Sequence, residues 1–195
     1  MTLAETAQSL GAKPIDPTLD FDLKDFQFDP YTASFPQTMG RMITNTIEKS
    51  PLTYNEKSGK PAVPQWVMAF EDGLRQDWND ETIPRIIINR VNLGYWRTKG
   101  QDGIELDEPI LVKSGRNSTS VEFAATVLEK LTFPLKPDQS DEYLDQWFEL
   151  VQMTFASASP YPKKMWVPVR LIGRDIPDAV IAYRKKREQE VAGNW

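Results

Sequence analysis

Not one of the 195 residues is a cysteine, and not one is a histidine. No disulfide and no Cys/His zinc site can hold such a chain, so its fold rests on burying its own apolar side chains. The same absences remove the side chain that normally titrates near neutral pH, and the thiol nucleophile. Ser-His-Asp and Cys-His hydrolysis, and haem held by His or Cys, are thereby excluded. Asp, Glu, Lys, Tyr and Ser remain, and they form no catalytic signature, so no enzyme is expected. The chain is long enough for a single domain with a full core. Its 40% hydrophobic content sits slightly below the globular average, which leaves part of it for the periphery.

Charge divides the chain unevenly. From Lys163 onward eight basic residues meet four acids, giving +4, while the first 162 residues sum to −9; together these make the net −5. Residues 1–30 alone carry six acids and two lysines. One reading of such runs is solvated surface. The sharper one is complementary ends, in which Arg184, Lys185, Lys186 and Arg187 form a basic tail interface for the acidic arm of the next subunit. Overall acidity argues against a dedicated duplex-DNA binder. No apolar run approaches the ~20 residues of a membrane span. Met1-Thr2-Leu3-Ala4-Glu5 lacks the basic and apolar regions of a secretory signal, so a soluble protein made in a reducing cytoplasm is expected.

Proline shapes the first third. Pro14, Pro17, Pro30 and Pro36 argue against helix over residues 11–37. Yet Leu19, Phe21, Phe26, Phe28, Tyr31 and Phe35 crowd into 17 residues, too apolar for a plain linker. The pattern predicts an extended arm lying on a surface, its own domain's or a neighbour's. Met39, Met42, Ile43 and Ile47 predict a short helix over 37–49, which completes an N-terminal region of residues 1–60. Residues 61–195 are expected as one α+β domain ending in a basic helix.

Within that domain Pro64 and the spacing of Trp66, Val67, Phe70, Leu74 and Trp78 predict a helix over 64–78. The β-branched run Arg85–Val91, introduced by Pro84, predicts a core strand. Residues 93–113 read as a hairpin about the turn Gly100-Gln101-Asp102-Gly103. Segment 118–135 fits a strand, by the shared parity of Val121, Phe123, Ala125 and Val127, or a helix capped by Thr119 and Glu122. The alternation lasts longer and favours the strand. Ser140 caps a predicted helix over 140–155, with Leu144, Trp147, Phe148, Val151 and Phe155 inward. A late strand over 165–172 contains Pro168, which suggests a sheet edge, and a basic helix over 177–190 ends the chain. The class expected is α+β, a mostly antiparallel sheet with helices on one face.

Few residues carry chemistry. Asp138, Asp141, Glu142 and Asp145 are the densest carboxylates; they could hold Mg²⁺ but more simply complement a helix dipole. No phosphate-binding glycine loop and no EF-hand is present. No cofactor and no metal are expected. The best binding candidate is Tyr95-Trp96-Arg97-Thr98-Lys99, whose aromatic and basic groups on a hairpin could stack bases and track phosphates of a single strand. Lys163 and Lys164, with Tyr161 and Trp166, would extend that face. The plain alternative packs Tyr95 and Trp96 under the hairpin while Arg97 and Lys99 face water.

The order formed by helix 64–78, strand 86–91, segment 121–135 and the helix from Ser140 resembles the plan of tailed-phage tail-terminator and neck proteins, the head–tail joining proteins of the virion. The resemblance covers residues 62–172 and rests on element order alone. It implies a non-catalytic, ring-forming homo-oligomer among neighbouring virion proteins, with DNA passing through the ring and no membrane contact. The alternative is a single-stranded nucleic-acid-binding protein that uses the 95–99 hairpin without sequence specificity.

Overall fold

The computed structural model describes residues 26–49, 63–113, 142–155 and 163–193. Seven strands and one helix are found there: β1 Gln37–Lys49, β2 Pro64–Gln76, β3 Pro84–Asn92, β4 Gly94–Lys99, β5 Glu105–Lys113, β6 Trp147–Phe155, β7 Lys163–Gly173 and α1 Asp178–Gly193. Five strands form one antiparallel sheet in the order β3-β2-β1-β6-β7, and β4 and β5 form a separate ribbon. β1, β2 and β3 are a meander, and a long connection then brings β6 back beside β1. That order is a Greek key.

The sheet curls until its two edge strands meet. Asn89 on β3 donates its Nδ2 to the Trp166 carbonyl of β7 at 2.7 Å, and its Oδ1 accepts the Trp166 N–H at 3.1 Å. Four antiparallel pairings separate β3 from β7, so the two run in the same direction where they meet. Inside the curl lie Trp66, Met68, Phe70, Phe148, Leu150, Met153 and Val167, all fully buried. Phe70 and Phe148 pack edge to face with centroids 5.8 Å apart, and Tyr143 meets Phe148 likewise at 6.2 Å.

Three predicted helices are strands. Residues 37–49 form β1, a middle strand of the sheet, so the region drawn as 1–60 contributes to the sheet's centre. The register of β1 on β2 slips between Met42 and Thr44. Met39 packs with Leu74, Trp147 and Val180 while Met42 packs in the barrel core, so two faces are buried, and their spacing of three imitates a helical stripe. Residues 64–76 are β2, where Gln65 to Phe70 are all buried. Burial on both faces erases the two-residue period. Residues 147–155 are β6, with register shifts against β7 at Trp147/Phe148 and Glu149/Leu150. Residues 142–146 are a turn, with Asp145 at a φ of 61°. Segment 118–135 lies outside the described residues, as do Leu19 and Phe21.

Other expectations match. β3 starts at Pro84 and alternates strictly between buried and exposed from Ile86. Residues 93–113 do form a hairpin. β7 is an edge strand and contains Pro168. α1 follows Pro177 and seats Val180 against Met39, Leu74 and Trp147. Gly73 makes that approach possible: a Cβ there would lie 2.6 Å from Val180 Cγ2 and 2.7 Å from Trp147 Cζ3. Among the described residues the fold is thus a mostly antiparallel sheet with one C-terminal helix. No described helix is long and apolar enough to cross a membrane.

Candidate nucleic-acid interface

Tyr95, Trp96, Arg97 and Lys99 all lie on β4. Trp96 opposes Leu111 and Arg97 opposes Ile110 on β5, and a register shift precedes the pair Lys99–Glu105. The tip is fixed by backbone: Gly103 N–H donates to the Gly100 carbonyl at 3.1 Å and Gly100 N–H to that of Ile104 at 2.9 Å. Asp102 accepts the Ile104 N–H at 3.0 Å. Gly103 has a φ of 78°, which only glycine adopts at little cost. Arg97 and Lys99 are exposed on this ribbon, as are Ile110 and Leu111 across from them. The side chains of Tyr95 and Trp96 lie outside the described residues.

Lys163 and Lys164 start β7. Lys164 is exposed, and the Lys163 side chain is not among those described. Because β3 and β7 run the same way at Asn89–Trp166, Lys164 falls level with residue 87, while the hairpin leaves β3 beyond residue 92. Five residues of β3, 88 to 92, lie between that level and the ribbon, about 17 Å at ~3.3 Å per residue, and Arg97 and Lys99 lie further along β4. The two basic groups do not form one patch. Between them the outer side of β3 carries exposed Ile86, Ile88 and Arg90. Arg90 Nη1 lies 3.7 Å from Glu48 Oε2, a loose surface pair that leaves its cation in water.

Beneath this track sits a polar cluster that sequence patterning does not single out. Asp72 on β2 has a fully buried side chain. It accepts Arg85 Nε at 3.0 Å and Nη2 at 2.6 Å, the Leu74 N–H at 3.0 Å and the Thr38 hydroxyl. Arg85 also stacks over Trp166, 5.2 Å from the ring centroid. Both oxygens of Asp72 are engaged, so the carboxylate fastens β1, β2 and β3 together. Glu149 differs. Burial raises its pKa above the ordinary 4.5, opposed by Arg170, whose Nη1 is 3.2 Å from Oε2 in a geometry that makes no hydrogen bond.

The arm lies on its own barrel where it is described. Phe26 is buried, Phe28 and Phe35 pack on the core, and Arg170 holds the Phe26 carbonyl at 3.2 Å. Asp29 N–H donates to Gln37 Oε1 at 2.7 Å, and the Asp29 carboxylate, hydrogen-bonded to Thr32, has its pKa lowered. Tyr31 alone of the four faces solvent. In the basic tail, Arg187 reaches Glu81 at 3.2 Å and Glu190 at 3.3 Å, while Lys186 stands 3.9 Å from Glu190. Arg184 and Lys185 are exposed. Asp138 and Asp141 lie outside the described residues, and Asp145 pairs with Arg41 at 2.7 Å. No group of three acids that could hold a metal occurs among the described residues.

Comparison with protein-family models, curated proteins and solved structures finds no match to this chain.

Proposed function

We propose that this protein binds single-stranded nucleic acid, without sequence specificity, along the outer face of β3 and onto the β4–β5 ribbon. The observation that carries the reading is the closure of the Greek-key sheet, with β3 meeting β7 in the same direction through Asn89 and Trp166. A five-stranded, partly open Greek-key barrel is the architecture of OB folds, whose second and third strands form the face for oligonucleotides and oligosaccharides. Here the open part of that face is β3, with Arg90 and exposed isoleucines, flanked by Lys164 and by the ribbon, where Arg97 and Lys99 stand among the exposed acids Asp102, Glu105, Asp107 and Glu108. Fold analogy alone does not distinguish oligonucleotide from oligosaccharide; the cations favour the polyanion. With an acidic body, binding along this track rests on few cations, so affinity falls steeply with salt.

The virion reading has less to rest on. Two of the four elements behind the resemblance to neck and tail-terminator proteins, the helices at 64–78 and from Ser140, are strands over their described residues. A ring-sized native mass without any nucleic-acid binding would revive it.

The test is a fluorescence-anisotropy titration of a labelled 15-nucleotide single strand at low salt, with the matching duplex as control. Single-strand binding is expected, with Arg97→Ala plus Lys99→Ala lowering the salt slope by roughly 1–2. No binding of the single strand at low salt would end the proposal.

A further inference from the structure

The dipeptide Asp-Gly occurs twice, as Asp72–Gly73 on β2 and as Asp102–Gly103 in the turn of the ribbon. Both aspartates make the same local bond: Asp72 accepts the Leu74 N–H at 3.0 Å, and Asp102 accepts the Ile104 N–H at 3.0 Å. Each side chain is therefore folded over the peptide that follows it, which turns its carboxyl carbon towards the glycine nitrogen. Glycine, having no Cβ, hinders attack by that nitrogen least. The surroundings of the two pairs differ.

In the barrel the pair is locked. One Asp72 oxygen is held by Thr38 and Leu74 and the other by Arg85, at 2.6 Å and 3.0 Å, with the side chain fully buried. Attack at its carboxyl carbon would have to expel an oxygen that is already bound. A Cβ at Gly73 would lie 2.6 Å from Val180 and 2.7 Å from Trp147, so the close-packed interior leaves no space for added atoms. On the ribbon, Asp102 and Gly103 are exposed, and Asp102 has no ion-pair partner among the described residues. No described atom lies within 4 Å of the place a Gly103 Cβ would take. The Gly103 N–H is held by the Gly100 carbonyl at 3.1 Å, in a loop tip of the kind whose local opening costs little.

We propose that Asp102 is a site of spontaneous covalent modification, converting to isoaspartate through a cyclic imide with Gly103, and that the barrel protects Asp72 from the same reaction. The Gly103 nitrogen bonds to the Asp102 carboxyl carbon, and the N–H proton and the carboxyl hydroxyl leave as water. Water then opens the five-membered imide. Addition at the side-chain carbonyl restores aspartate, while addition at the main-chain carbonyl breaks its bond to nitrogen and routes the backbone through Cβ. Water is the only co-reactant, and nothing is oxidised or reduced. The product carries an extra methylene in the backbone of a turn closed by Gly103 to Gly100 and Gly100 to Ile104, so those bonds beside Lys99 are lost. The reaction needs no nucleic acid and stands apart from that reading.

Peptide mapping with electron-transfer fragmentation tests this, on the full chain held for weeks at neutral pH and physiological temperature. Isoaspartate is expected at position 102 at no less than tenfold its level at 72, preceded in the same peptide by a species one water lighter. In urea the two sites should convert at similar rates, because the barrel no longer shields Asp72. Asp102→Glu, which would have to close a six-membered ring, removes the signal at 102. Native protein with no conversion at 102, or with equal conversion at 72, overturns the proposal. So does a tenfold difference that persists in urea, since local sequence and not the fold would then set it.

Discussion

The barrel and the β4–β5 ribbon are both antiparallel β-structure, and they are made in opposite ways. In the barrel, strands β1, β2 and β6 bury both faces at their centres, and Trp66, Phe70 and Phe148 have no contact with water. On the ribbon, no described side chain is buried, and isoleucine and leucine share its surface with arginine and lysine. A two-stranded ribbon cannot shield both of its faces by itself. Burial therefore supplies the stability in one region, while the other is free to present chemistry.

That contrast can be broken by substitution. Phe148→Ala should cost ~3–5 kcal/mol in urea denaturation, because the ring is enclosed between β2 and β6. Leu111→Ala, on the ribbon, should fall within ~0.5 kcal/mol. Equal costs would mean that the ribbon is part of the core. Asn89→Ala comes next: it leaves the Trp166 backbone groups without partners at the closure, for about 1–3 kcal/mol. Its distinguishing readout is faster amide exchange at Trp166 while β1 and β2 stay protected; uniform loosening would mean that the closure is not a separate seam.

The smallest effect concerns Glu149. Its folded-state pKa is raised, so the native state holds this proton more tightly than the unfolded chain does. Its contribution is most favourable below pH 4.5 and declines as pH rises through 4.5 and the raised folded value. Glu149→Gln should flatten that decline in a pH series of melting curves. An unchanged slope would remove Glu149 as its source.

Where one face is dry and the other wet, the sequence was readable. β3 shows this best: Ile87, Asn89 and Val91 point inward, Ile86, Ile88 and Arg90 outward, and Pro84 marks the start. The ribbon was equally plain, because a glycine turn separates two strands that pair only with each other among those described. β1, β2 and β6 were misread for a physical reason. Burial of both faces, or a bulge, replaces alternation with spacings of three and four. Of the candidate site, Arg97 and Lys99 were visible as exposed hairpin cations. Their separation from Lys164 was not, because it depends on β3 and β7 meeting across 77 residues of sequence. Asn89 looks like any polar residue on a strand until that meeting places it. The spacing of Trp78 fits a helical stripe, yet its turn holds it away from the core.

The Greek-key connection has a consequence for how the molecule tolerates change in length. β3 ends at Asn92 and β6 starts at Trp147, so the stretch between them, which carries the ribbon, is a long excursion from the barrel. The entropy of closing a loop grows only logarithmically, about 0.6 kcal/mol for each doubling. Lengthening the exposed β4–β5 turn at Gln101 and Asp102 should therefore cost less than one lost methyl group in the barrel. Lineages carrying this barrel should diverge more in the length of that turn than in the register of β1 against its two neighbours.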